Sequence, residues 1–275
     1  MAERLFTVVI WATALLVAAL FLWLLGDLAW RGFGHLSWSF LVNEPERAGR
    51  AGGIAPILVA TLAILGVALL AALPLGLASA IWLAEYSRQG GRFGHGVRLS
   101  LDVLAGVPSI VFGLFGYAFF CIFLGLGFSI LAGGLTLACM ILPIFIRTSE
   151  AGLAAVNDDW RRGADALGMS RATALKQVLL PAAAPAIGAG LLLGIGRATA
   201  ETAALIFTSG YVDRMPESPL DSGRALAVHI YELSMNVTGG DSAAYASALV
   251  LILLIIATNA AALTLSERWS RRISQ

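Results

Sequence analysis

Charge is scarce in this chain. Asp, Glu, Lys and Arg supply 13% of its 275 residues, about half the share found in an ordinary soluble domain. The single lysine, Lys176, stands between Leu175 and Gln177. No GxxxxGK[ST] phosphate loop therefore exists, and no ATP chemistry is built into the chain. The two cysteines, Cys121 and Cys139, lie inside apolar runs, where they read as small core residues and not as a disulfide framework or a thiolate metal site. His35, His95 and His229 all fall outside those runs. With no HExxH motif and no embedded imidazole, neither an intramembrane enzyme nor a histidine proton relay is expected. No cofactor, metal or nucleic-acid partner is called for.

Apolar residues, by contrast, make up 59% of the chain, which places it among lipid as an all-α integral membrane protein. A helix crossing the hydrocarbon core needs about 20 apolar residues. The first run, Leu5 to Leu25, follows a short basic start. It is too long for a signal-peptide core, and Gly26-Asp27-Leu28-Ala29-Trp30 is a poor cleavage site. The second run, Ile54 to Leu83, is uncharged and longer than needed, so tilt or a kink at Pro74 is expected. Val103 to Ile146 would reach roughly 65 Å as one helix, so it divides in two near Gly125-Leu126-Gly127. A fifth span is predicted over 182–207 and a sixth over 243–265, six in all.

Positive charge orients the spans. With both termini in the cytoplasm, the inner segments hold Arg4, Arg88, Arg92, Arg98, Arg147, Arg161, Arg162, Arg171, Lys176, Arg268, Arg271 and Arg272. The outer segments hold only Arg31, Arg47, Arg50, Arg214 and Arg224. The bias puts the charged 148–181 segment inside. There Asn157-Asp158-Asp159 supplies a turn and an N-cap with acids at a helix start. Trp160 to Leu167 forms a short helix ended by Gly168, and Ser170 caps another that stops at Pro181. Such a helix between glycine and serine joints can serve as a lever on the spans. It can equally be a solvated loop.

The segment Arg162 to Pro181 resembles the EAA-type loop by which permeases of type I ABC importers hold their ATPase. Ala164, Gly168, Val178, Leu180 and Pro181 match that pattern, while Arg162 stands at the family's Glu and Gly163 at the following Ala. The resemblance implies an ATPase-coupling loop that includes Arg162, Gly163, Ala164, Gly168 and Pro181.

Within the fifth run, Arg197 and Glu201 are one helical turn apart. Arg197 lies 12 residues past Pro185 and 13 before Gly210, which predicts a position near the midplane. An arginine there costs at least about 2.5–3.5 kcal/mol on insertion scales and should face the interior with a partner. Glu201 is the available partner, yet helical pairs favour the acid N-terminal to the base, so helix support is a weak reason for the pair. Arg197 can offer its donor fork to an oxyanion, with Thr199, Thr202 and Thr208 as nearby hydroxyl donors. A buried ion pair acting as interhelical glue is the other reading.

Several blocks resemble the phosphate-specific branch of these permeases, the PstA-type subunits. They are Gly52-Gly53-Ile54, Leu83-Ala84-Glu85-Tyr86, Gly106-Val107-Pro108-Ser109, Leu142-Pro143-Ile144-Phe145-Ile146-Arg147 and Glu201-Thr202-Ala203-Ala204-Leu205. Ala200 and Ala204 stand where that family has Gly and Pro. The resemblance implies a permease (MetI-like) unit over 54–265, preceded by an N-terminal helix and outer loop over 1–53 and followed by a basic tail over 266–275. It implies phosphate import across a bacterial inner membrane, with a homologous second permease, two ATP-binding subunits and an extracytoplasmic phosphate-binding protein as partners. Arg197, Glu201 and Thr202 would then line the substrate path. The residues alone leave sulfate, molybdate, phosphonate or another polar solute open, as well as a secondary transporter, although no convincing internal repeat supports the last. The outer loops 30–53 and 209–242 are where a binding protein would dock, or plain interfacial caps; a short amphipathic helix is predicted over 225–233.

Overall fold

The computed structural model describes residues 2–87 and 91–273. Arg88 and the side chains of the basic tail, 266–275, lie outside the described residues. The protein is an all-α membrane protein with five helices long and apolar enough to span, Glu3–Phe33, Ala55–Tyr86, Ile130–Ala154, Arg171–Thr199 and Asp241–Thr264, and a sixth if a sharply bent pair is counted as one span.

The first helix, α1 (Ala2–Phe33), is apolar on every side. Leu5, Phe6, Trp11, Phe21 and Trp23 are all exposed, as expected of a helix whose solvent is lipid. It meets the rest near its C-terminal end, where the Arg31 guanidinium lies 5.2 Å from the Tyr245 ring centre. A five-residue helix, α2 (Trp38–Val42), is capped by Ser37, and a two-stranded hairpin (β1, Pro45–Glu46; β2, Ala51–Gly52) leads into α3 (Ala55–Ile81). Pro74 sits inside α3, and the helix continues through it to a π-helical turn at Trp82–Tyr86.

The core lies between α3, α6 (Ile130–Ala154) and α9 (Leu180–Thr199), where Ile64, Leu137, Met140, Ile141 and Ile195 form one buried cluster. Small residues let the backbones approach, since lipid gives apolar side chains no reason to prefer one another. A Cβ on Gly134 of α6 would stand 2.5 Å from Val67 of α3, so only glycine allows that crossing.

The third span departs from expectation. Val103 does not open a straight helix. Instead α4 (Arg92–Ala105) ends at Gly106, and the chain turns by 103° before α5 (Ser109–Gly116) and a π-helical segment, Tyr117–Phe123. Pro108 lacks an N–H and disfavours helical geometry at Val107, which explains the turn. The two pieces after it have 8 and 7 residues, about 22 Å at 1.5 Å per residue and short of a full crossing. The predicted break near Gly125 is present, and α6 starts after it, with the Ser129 hydroxyl accepting from the Ala132 N–H at 3.1 Å.

The fifth span also differs from prediction. Pro181 does not stop the helix. From Ser170 onward α8 (Arg171–Ala174), a π-helical turn at Leu175–Leu179 and α9 form one apolar run that ends at Thr199, short of residue 207. Pro181 follows directly on the π-helical turn, where the Leu180 N–H reaches back five residues to the Leu175 carbonyl, and this widened turn carries the helix past a residue that has no N–H to give. A break follows, then α10 (Ala203–Ile206), α11 (Leu226–Met235) and α12 (Asp241–Ile273). The segment between α10 and α11 folds over the start of α6. The carbonyls of Asp221 and Pro219 accept from the N–H groups of Ile130 and Leu131 at 2.9 and 2.8 Å, meeting donors a helix start leaves unpaired.

Candidate functional site

Two features gather the charged side chains. The first is the polar loop after α6. The Asn157 side chain accepts from the Asp159 N–H at 2.9 Å and caps α7 (Asp158–Ala166), whose first turn carries Asp158 and Asp159. Gly168 follows at φ +69°, and the Ser170 hydroxyl accepts from the Thr173 N–H at 3.2 Å. The predicted helix, glycine joint and serine cap are all present. Within α7, Ala164 is buried, while Arg162 is exposed and pairs with Asp159 at 2.7 Å. A Cβ on Gly163 would meet open space. Both departures from the EAA pattern therefore lie on the outward face of α7 and leave its packed side unaltered.

Arg161 holds the loop down. Its Nη2 donates to Glu85 Oε1 at 2.7 Å and to the Leu153 carbonyl at 2.8 Å, and its Nη1 donates to the Val156 carbonyl at 2.6 Å. One guanidinium thus joins the π-helical end of α3 to the end of α6. The hydrogen bond to Glu85 holds the Arg161 guanidinium above its ordinary value. Beside this staple, the buried Glu150 of α6 takes Arg98 of α4 on one oxygen and Arg147 on the other, and Arg147 also meets Asp102 at 2.9 Å. Arg98 donates to the Leu83 carbonyl at 2.8 Å. The end of α3 is therefore gripped from both sides. Between it and α8 lies a polar groove of about 510 Å³, lined by Glu85, Tyr86, Arg161, Asp165 and Arg171.

Arg161 and Glu85 were missed as a pair in the sequence. Arg161 read only as one positive charge among many, and Glu85 only as part of a Leu-Ala-Glu-Tyr block. They are 76 residues apart, and no spacing rule connects them.

The second feature is the end of α9. Arg197 occupies its last turn, on the stripe of Gly190 and Gly194, which faces Thr148, Phe145 and Ile141 of α6. Its Nε is buried without a hydrogen-bond partner. The expected pairing with Glu201 is not made: α9 ends at Thr199, and Glu201 Oε1 instead accepts from the Ala204 N–H at 3.1 Å, capping α10. Two of the three expected hydroxyl donors are also already used. Thr199 donates to the Ile195 carbonyl and Thr208 to the Ala204 carbonyl, both at 2.8 Å. Thr202 opens α10 beside Glu201. Among the described residues no group of three or more His, Cys, Asp or Glu is arranged to hold a metal ion.

Residues 72–274 match the family described as the binding-protein-dependent transport system inner membrane component. The chain belongs to that family. Probable ABC transporter permease protein YqgI of Bacillus subtilis is 31% identical over 264 residues, covering 90% of each chain. The phosphate transport system permease protein PstA 1 of Mycobacterium tuberculosis is 36% identical over 214 residues, 77% of this chain and 70% of its own. The PstA protein of Mycobacterium leprae is 33% identical over 254 residues, 90% and 83%. Among solved structures, a chain of the bacterial ABC transporter that imports the acidic polysaccharide alginate superposes with a TM-score of 0.63 at 13% identity, covering 96% of each. A chain of the inward-facing MetNI methionine ABC transporter superposes at 0.57 and 14% identity, covering 80% of this chain and 97% of its own. At such identities the structures establish the fold alone, that of MetI-like type I importer permeases. Family membership makes the chain a permease subunit of an ABC-type importer.

Proposed function

We propose that this permease belongs to an ATP-driven importer of inorganic phosphate in a bacterial inner membrane and that Arg197 lies on the path of the solute. The observation that carries the reading is the buried Arg197 Nε without a partner. An arginine set in a span, and not neutralised by its neighbouring acid, is costly unless something else meets it, and its planar fork suits a tetrahedral oxyanion. Similarity to several phosphate transport permeases supports phosphate over other anions. Glu201 and Thr202, at the break after α9, would complete the lining. Backbone without helical bonds belongs at membrane depth only where it is buried in protein or lines a wet cavity.

In this reading both termini and the α7 loop face the cytoplasm, and a homologous second permease completes the pore. Of two ATP-binding subunits, one engages the exposed face of α7 around Arg162 and Gly163, with Gly168 as the joint and Pro181 at the start of α9, and the other engages the second permease. An extracytoplasmic phosphate-binding protein docks on the opposite end. A permease for sulfate or another oxyanion is the second reading, since the fork of Arg197 suits any of them. Radiolabelled phosphate uptake in cells lacking this chain, with sulfate run in parallel, separates the two. Loss of phosphate uptake alone supports the proposal, and loss of sulfate uptake alone moves the solute to the second reading.

A further inference from the structure

We infer that Glu85 and Arg161 form the strut that fixes the lever helix α7 to α3 and α6, so that these three elements move as one body. The inference rests on the coupling role proposed above for the loop, and goes beyond it by naming the connection through which motion enters the spans.

Three observations converge. Every hydrogen bond of Arg161 runs to α3, to the end of α6 or to its own loop, and none runs past Gly168. Both partners are largely withdrawn from solvent, with side chains 15% and 18% exposed, so the pair is screened far less than a surface ion pair. Glu85 sits on a π-helical turn, and such turns are frequent at functional sites in helices. On the other side of α7 the chain leaves through Gly168 at φ +69°, a conformation that glycine adopts without penalty. The geometry is a clamp on one side and a joint on the other. A push on the outward face of α7 is then transmitted through Arg161 to the ends of α3 and α6. Glu85 and Arg161 act as positioning residues, since neither meets solute or nucleotide in this scheme.

The test uses the complete complex with its ATPase subunits in lipid, with Cys121 and Cys139 replaced by alanine. Spin labels at Ala166 of α7 and Leu75 of α3 give one distance; labels at Ala166 and Leu193 of α9 give the other. The strut predicts a single narrow Ala166–Leu75 distance in wild type, unchanged by ATP and vanadate, alongside an Ala166–Leu193 distance that shifts. Glu85→Gln and Arg161→Lys should each broaden the first distance even without nucleotide. Each should also lower phosphate uptake per ATP hydrolysed by about tenfold, the order of an ordinary coupling between sites. The double variant should be no worse than either single one. A wild-type Ala166–Leu75 distance that changes with nucleotide overturns the inference, as does a narrow distance in Glu85→Gln. If nucleotide moves neither pair, the proposed coupling role of the loop fails, while the nucleotide-free comparison of wild type with Glu85→Gln still decides the strut.

Discussion

Glu201 gives its carboxylate to the N–H of Ala204 at 3.1 Å, while the Nε of Arg197, four residues earlier, is buried without a hydrogen-bond partner. The two residues that sequence spacing would join are thus separated in role, one capping a short helix and the other holding an unspent donor. Replacing Glu201 by Ala should lower thermal stability by about 1 kcal/mol, the usual net worth of a hydrogen bond. Glu201→Gln keeps an acceptor for Ala204 and should melt like wild type, while removing a negative charge near Arg197. Its uptake should show a lower KM together with a lower kcat, because the anion leaves more slowly. Kinetics identical to wild type would reduce Glu201 to a cap.

The loop after α6 makes opposite predictions for two glycines. Gly168 is held at φ +69°, where a β-branched side chain costs on the order of 1–3 kcal/mol. Gly168→Val should therefore strain the joint and uncouple ATP hydrolysis from uptake. Gly163 lies inside α7 with open space where a Cβ would go. Gly163→Ala should stabilise α7 by about 0.5–1 kcal/mol and, because alanine is the residue the EAA pattern carries at this point of the docking face, keep hydrolysis coupled to uptake. Paired hydrolysis and uptake assays on the two variants check both. Coupled transport by Gly168→Val would remove the joint from the mechanism.

His229 gives the fold a pH dependence. The ring is wholly buried on α11, packed at Gly49 of the first hairpin and 3.5 Å from Arg224. Burial, aided by the Arg224 charge, lowers its pKa from 6.5 to about 3. Below pH 6.5 the unfolded chain takes up a proton that the folded chain refuses until about pH 3. Stability should thus fall across that window as pH drops, with no contribution above it. Melting temperatures of the purified protein between pH 7 and pH 4.5 should decline more steeply for wild type than for His229→Phe. Equal slopes would show that the ring is protonated in the folded state.

Much of the architecture was legible because bilayer thickness and helix rise constrain it strongly. The division of the uncharged 103–146 run, the ends of α3 and α6, the Asn157 and Ser170 caps and the Gly168 joint all follow from length, charge and turn chemistry. The failures have a common cause, which is that local rules do not see packing. Pro181 reads as a helix stop, yet the π-helical turn just before it widens the helix and carries it past the missing N–H. Val103 reads as the start of a span, yet Pro108 bends the chain by 103° and α4 docks on α3 and α6 through Arg98. Arg197 and Glu201 look paired only if the helix continues, and it ends at Thr199. The Glu85–Arg161 contact spans 76 residues and becomes visible only once three helix ends are brought together.

The most direct test of the account is phosphate uptake by Arg197→Gln in the assembled complex, with membrane level and ATPase association measured on the same sample. Glutamine preserves much of the length and some hydrogen bonding but removes the charge and the bidentate fork. The account predicts an intact complex whose uptake is lost. An intact complex that takes up phosphate at the wild-type rate would contradict it and place Arg197 outside the path of the solute.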